Sequence, residues 1–155
     1  MYLEHSFWLG KQLAELDQSC AKYHQGIDQL KQDIPHQLSA ITWQGVLNLL
    51  GQAENSCCLR GEVYDELLML ALNKKFNNVR ALYTLYLNKL FLCYLFQDYP
   101  QAWQQATITE NYLDGVAGLF VFALFYWYDS LTRLALYPEQ NHTQQQQSLD
   151  KIAHN

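Results

Sequence analysis

The chain has 155 residues, half of them hydrophobic and 16% charged, which excludes a disordered chain and fits one domain able to bury a core. A formal net charge of −5 and an isoelectric point near 5.4 argue against a binder of nucleic-acid backbones, which needs a clustered basic face. Leucine occurs 27 times against 5 valines and 5 isoleucines, and this excess of an unbranched helix former over β-branched strand formers predicts an all-α protein.

At the N-terminus Glu4 and His5 stand where a secretory signal would carry lysine or arginine, so export is not expected. The four cysteines, Cys20, Cys57, Cys58 and Cys93, lack CxxC spacing and are read as reduced thiols of a cytoplasmic protein. The first periodic signal is Leu13, Leu16, Cys20, Tyr23, Ile27, Leu30 and Ile34, spaced alternately by 3 and 4 residues along one face of a helix that Pro35 ends. An antiparallel partner is expected over 36–50, where Leu38, Ile41, Val46 and Leu49 share a face and Gly51 stands as C-cap. A loop over 52–61 precedes a weaker helix over 62–73 with Val63, Leu67 and Leu70 on its apolar face.

Asn77 and Asn78 then open a helix over 79–96 that is apolar on nearly every side, with Asn88 and Lys89 as its main polar interruption, so neighbours should surround it. Asp98 is placed to cap a helix that tolerates Pro100 in its first turn and runs to about residue 113. After a break at Asp114 and Gly115 comes a second greasy helix over 116–137, closed by Pro138. Its uncharged run over 116–128 is shorter than the roughly 20 residues that cross a bilayer, so it reads as a buried helix and no membrane span is expected. The remainder, 139–155, reads as a glutamine-rich linker with a short helix after Thr143. Six or seven helices joined by short loops result, the pattern of bundles and of stacked helix pairs.

Catalytic and cofactor signatures are not recognised in this sequence. His5, His24, His36, His142 and His154 contain no i, i+4 pair to turn two imidazoles toward one metal. Cys57 and Cys58 are adjacent and read as an ordinary half-buried pair. Gly10-Lys11 ends no phosphate loop, since His5 and Gln12 occupy the positions that would need glycine and Ser or Thr. Eleven tyrosines spread along the helices read as interhelix packing with hydroxyls at polar edges. An aromatic set, Phe120, Phe122, Phe125, Tyr126 and Trp127, offers the alternative of a small independent bundle binding an apolar ligand.

A more specific local pattern is LFLCYLFQDYPQAWQQA over 90–106, which reads as a tetratricopeptide-type helix pair. Its Ala102 and Ala106 fall where close helix contact needs small side chains. Together with HSFWLGKQLAELDQ, VLNLLGQAENSCCLRGEVYDE, ALYTLYLNKLFLCYLFQDYPQA and ENYLDGVAGLFVFALFYWYDSLTRLALYP, it resembles the helical region of large multidomain bacterial signalling proteins, frequent in cyanobacteria. In that family a serine/threonine-kinase-like domain and an AAA-type ATPase domain precede a long tetratricopeptide-like region, and a GAF domain and a histidine kinase follow it. The resemblance covers residues 5–138 and carries over no catalytic residue, no cofactor and no metal. It implies a non-enzymatic helical-repeat piece over 1–138, engaged with neighbouring domains or chains, with homo-oligomers possible through exposed apolar helix faces.

Overall fold

The computed structural model describes residues 2–30 and 33–155, and the side chains of all of these except 28–30, 33 and 34. It is all-helical, with eight α-helices and no strand among the described residues: α1 (Tyr2–Trp8), α2 (Leu13–Leu30), α3 (Asp33–Leu49), α4 (Glu66–Lys75), α5 (Val79–Leu95), α6 (Tyr99–Glu110), α7 (Phe120–Leu136) and α8 (His142–His154). None is long and apolar enough to cross a membrane.

Several stops and starts follow directly from local chemistry. Gly51 ends α3 in the left-handed region at φ 75°, and the Gln52 N–H returns to the Leu47 carbonyl at 2.9 Å. The side chains of Asp65, Asn78 and Asp98 accept N–H groups of the first turns of α4, α5 and α6. Asn141 and Gln144 close a reciprocal capping box at the start of α8. Helix therefore begins at His142, just before the place expected for the short terminal helix, and takes in part of the glutamine-rich segment read as a linker.

Three other expectations need correction. The seven-residue α1 was not foreseen, because a helix this short is marginal alone and exists here by burying Leu3, Ser6 and Phe7. Pro35 does not close α2; it sits in the first turn of α3, where its missing N–H had no helical acceptor. The side chains of Leu30 and Ile34, the last members of the periodic stripe, lie outside the described residues. The helix expected over 116–137 starts instead at Phe120, since Gly118 takes φ 79° and Leu119 is extended, leaving only a short 3-10 turn at Leu113–Val116.

Side-chain contacts fix the directions of the helices. Trp43 donates to Asp17 at 2.6 Å and His24 meets Ser39 at 3.1 Å, so α2 and α3 run antiparallel. Gln37 binds Asn78, and a Cβ on Gly45 would touch Asn88, so α3 runs parallel to α5. The Tyr83 hydroxyl donates to the Val121 carbonyl at 2.7 Å and Tyr94 packs on Tyr128, so α5 runs parallel to α7. Parallel α3, α5 and α7 thus form one row, while α2, α4, α6 and α8 each run against a member of it. Helix α1 lies across the row, with Glu4 on Arg80, Phe7 and Trp8 on Phe91, and His5 on Phe120.

Candidate interaction surfaces

Helix α4 is turned inside out. Its buried residues are Glu66 and Asn73, while Leu67, Leu68 and Leu72 are 62%, 70% and 45% exposed and Phe76 beyond its end is 71% exposed. Of the apolar face that the sequence suggests, Val63 and Leu70 are partly buried against the core and Leu67 is not. The inversion has an electrostatic cause. Glu66 accepts the Lys89 ammonium at 2.6 Å on one oxygen and the Leu59 N–H at 2.8 Å on the other. Asn73 accepts from Gln37, whose own carbonyl accepts from Asn78, at 2.6 and 3.0 Å. Those hydrogen bonds tie α4 to α3 and α5 through its polar side, because a buried carboxylate or amide left unpaired is costly. Leu67, Leu68 and Leu72 are left outside, while Met69 and Leu70 pack at the edge of the core.

The loop before α4 is also held by polar groups. Asn48 donates to the carbonyls of Ser56 and Cys58 at 3.1 and 2.7 Å, and Gln44 donates to Asn48. Gly61 lies close beside them: a Cβ there would come within 2.6 Å of the Gln44 amide, which would have to shift. Cys57 is buried in the core and Cys58 half-buried. Burial pushes both thiols up, which disfavours the reactive thiolate.

The second outward apolar surface is on α7. Its buried face is Val121, Phe125, Asp129 and Thr132. Asp129 is tolerated there because Arg133 at 2.9 Å and the Asn155 amide at 2.9 Å both hold its carboxylate. On the opposite side Phe120, Trp127 and Leu134 are 37%, 63% and 49% exposed.

A cleft of about 630 Å³ lies between α1, the α2–α3 pair and the start of α7, lined by Leu3, Tyr23, Leu38, Leu119 and Phe120 among others. Its volume suits a small ligand. Most of its polar groups are engaged within the chain, but one terminal nitrogen of Arg80 is buried there without a hydrogen-bond partner. Arg80 gives one nitrogen to both oxygens of Glu4 at 2.8 Å, and the Ser39 and Thr42 hydroxyls donate to helix carbonyls. Of the aromatic set named for an apolar ligand, Phe120 alone reaches this cleft. Phe122, Phe125 and Tyr126 belong to the core cluster, and Trp127 faces outward.

One juxtaposition escapes the sequence. His24 and His36, on different helices, meet with ring centroids 3.9 Å apart and planes tilted by 40°, and His24 also lies edge-on to Trp43. Only the antiparallel register of α2 and α3 could have indicated it. No group of three metal-ligating side chains occurs among the described residues. Comparison of the chain with protein-family models, with curated proteins and with solved structures finds no match in any of the three.

Proposed function

We propose that this chain is a non-catalytic helical-repeat module of the multidomain signalling kinase/ATPase type it resembles, carrying contacts between domains or between proteins in the cytoplasm. The observation that carries the reading is α4, with Glu66 and Asn73 buried and Leu67, Leu68 and Leu72 exposed. A domain that exposes three leucines on a helix whose buried residues are polar has a surface suited to a partner. The alternating directions of α2 to α8 support stacked helix pairs, the arrangement in which each pair leaves faces for the next.

The test is binding of an environment-sensitive apolar dye, together with binding of separately produced ATPase-type and GAF-type domains of the resembled family. The native chain is expected to bind the dye and at least one domain, and the Leu68→Glu, Leu72→Glu double variant to lose most of both with unchanged helical circular dichroism. A dye-silent chain that binds no domain overturns the reading.

A further inference from the structure

We propose that two copies of the chain pair through α7, in an antiparallel two-fold contact whose axis passes between residues 128 and 129. The inference deepens the interaction reading and rests on it, naming a second copy as the occupant of one of its two surfaces. Phe120, Ala123, Trp127, Ser130 and Leu134 follow one another at spacings of 3, 4, 3 and 4 on the side of α7 opposite its buried residues. That is the a/d seam of a coiled coil, about 21 Å long.

Size alternates along the seam. The three residues at one heptad position are large, and the two at the other are the small Ala123 and Ser130. A parallel pair would set Trp127 on Trp127 and Ala123 on Ala123, leaving clashes and voids in alternate layers. An antiparallel pair sets Trp127 against Ser130 of its partner and Leu134 against Ala123 of its partner, so the large side chains of the central layers meet small ones, while Phe120, packed on His5, lies at the ends of the contact. The seam is thus complementary to itself in one orientation.

Electrostatics favour the same orientation. The chain carries a net charge of −5, which opposes self-association, but the seam is free of exposed charge. The charged residues of α7 are Asp129 and Arg133, which pair with each other; Asp129 is 2% exposed, and the Arg133 guanidinium lies over the Trp103 ring at 5.0 Å. Antiparallel alignment also sets the positive N-terminal end of each helix dipole beside the negative end of its partner. A contact of this length falls at the small end of specific interfaces, so dimerisation on the order of tens of micromolar is expected.

Sedimentation equilibrium of the full chain tests this. A monomer–dimer equilibrium is expected, weakened about 30-fold or more by Trp127→Glu. Ala123→Leu is the decisive second variant. It adds apolar area to an exposed position, so a merely sticky face would bind better, whereas a filled seam binds about tenfold worse. In a Cys58→Ser background, a short bismaleimide should join Ala123→Cys chains to Leu134→Cys chains and neither to itself. A monomer at all concentrations, tighter association of Ala123→Leu, self-linking of Ala123→Cys, or partition into phosphatidylcholine vesicles without dimerisation each overturn the proposal. A monomer that still binds dye and a domain through α4 overturns the seam alone, whereas a monomer silent in both overturns the interaction reading with it.

Discussion

Helices α5 and α7 have the same length, 17 residues, and α7 has the more aromatic sequence, yet α5 buries eleven residues and α7 four. The difference is one of neighbours. Helix α5 is enclosed by α3, α4, α6 and α7, with α1 across it, and even its Thr84 and Asn88 are buried because both hydrogen-bond to carbonyls one turn back. Helix α7 meets α5, α6 and α8, and its far side carries only the His5 ring on Phe120 and the Asn155 amide on Ser130, so that Trp127 and Leu134 remain largely in water. Apolar content sets how much a helix has to gain from contact. The packing around it decides whether that gain is realised inside the chain or left for another surface.

Truncation inside α5 is the strongest way to sharpen this contrast. Leu85→Ala, at a residue 1% exposed, should cost about 3 kcal/mol in urea unfolding, because the surrounding helices relax only partly into the cavity. A loss below about 1 kcal/mol would mean that α5 is not the centre of the fold. Lys89→Met should cost a similar amount, about 3 kcal/mol, since it leaves the Glu66 carboxylate buried without its counter-charge. That variant should also free α4 before the rest of the chain, and hydrogen exchange would register it as lost protection over Glu66–Lys75.

The enclosed helix was readable in advance and the inverted one was not. The all-round apolar pattern of 79–96 announces burial on every side, and Asn78, Asp98 and Gly51 announce their caps, because capping is local chemistry between residues three or four apart. Helix α4 defeats the same logic. Its leucine spacing suggests an inward face, but the inward positions are decided by Lys89 and Gln37, 23 and 36 residues away from their partners. Such long-range polar pairs leave no periodic trace. The start of α7 differs from the expected one because Gly118 and Leu119 leave helical geometry, while Gly115 just before them packs where a Cβ would strike Val79, and apolar spacing reports neither.

Tyr83→Phe probes the seam between the two helices. Removing its hydrogen bond to the Val121 carbonyl should cost about 1 kcal/mol, and the first turn of α7 should exchange its amides faster. The same residue governs alkaline behaviour. Burial pushes the Tyr83 phenol and the Cys93 thiol of α5 up from ordinary values of 10.0 and 9.0. Both acids then hold their protons in the folded chain and lose them first in the unfolded one. Stability is therefore fully present below pH 9 and falls as pH rises above it, and Tyr83→Phe should make that fall shallower at pH 10 and above. An unchanged slope would show that Tyr83 is not enclosed.

Trp127→Ala carries the smallest expected effect on stability and is the most informative about α7. The ring is 63% exposed, so its removal takes few packed contacts from the monomer. Unfolding measured at concentrations where the chain is monomeric should change by less than about 0.5 kcal/mol, the range of surface substitutions. At higher concentrations the dimer adds stability to the native chain through mass action, and this increment should vanish in the variant. A loss at low concentration comparable to that of Leu85→Ala would mean that Trp127 is packed within its own chain, and the outward face of α7 would then be part of the core.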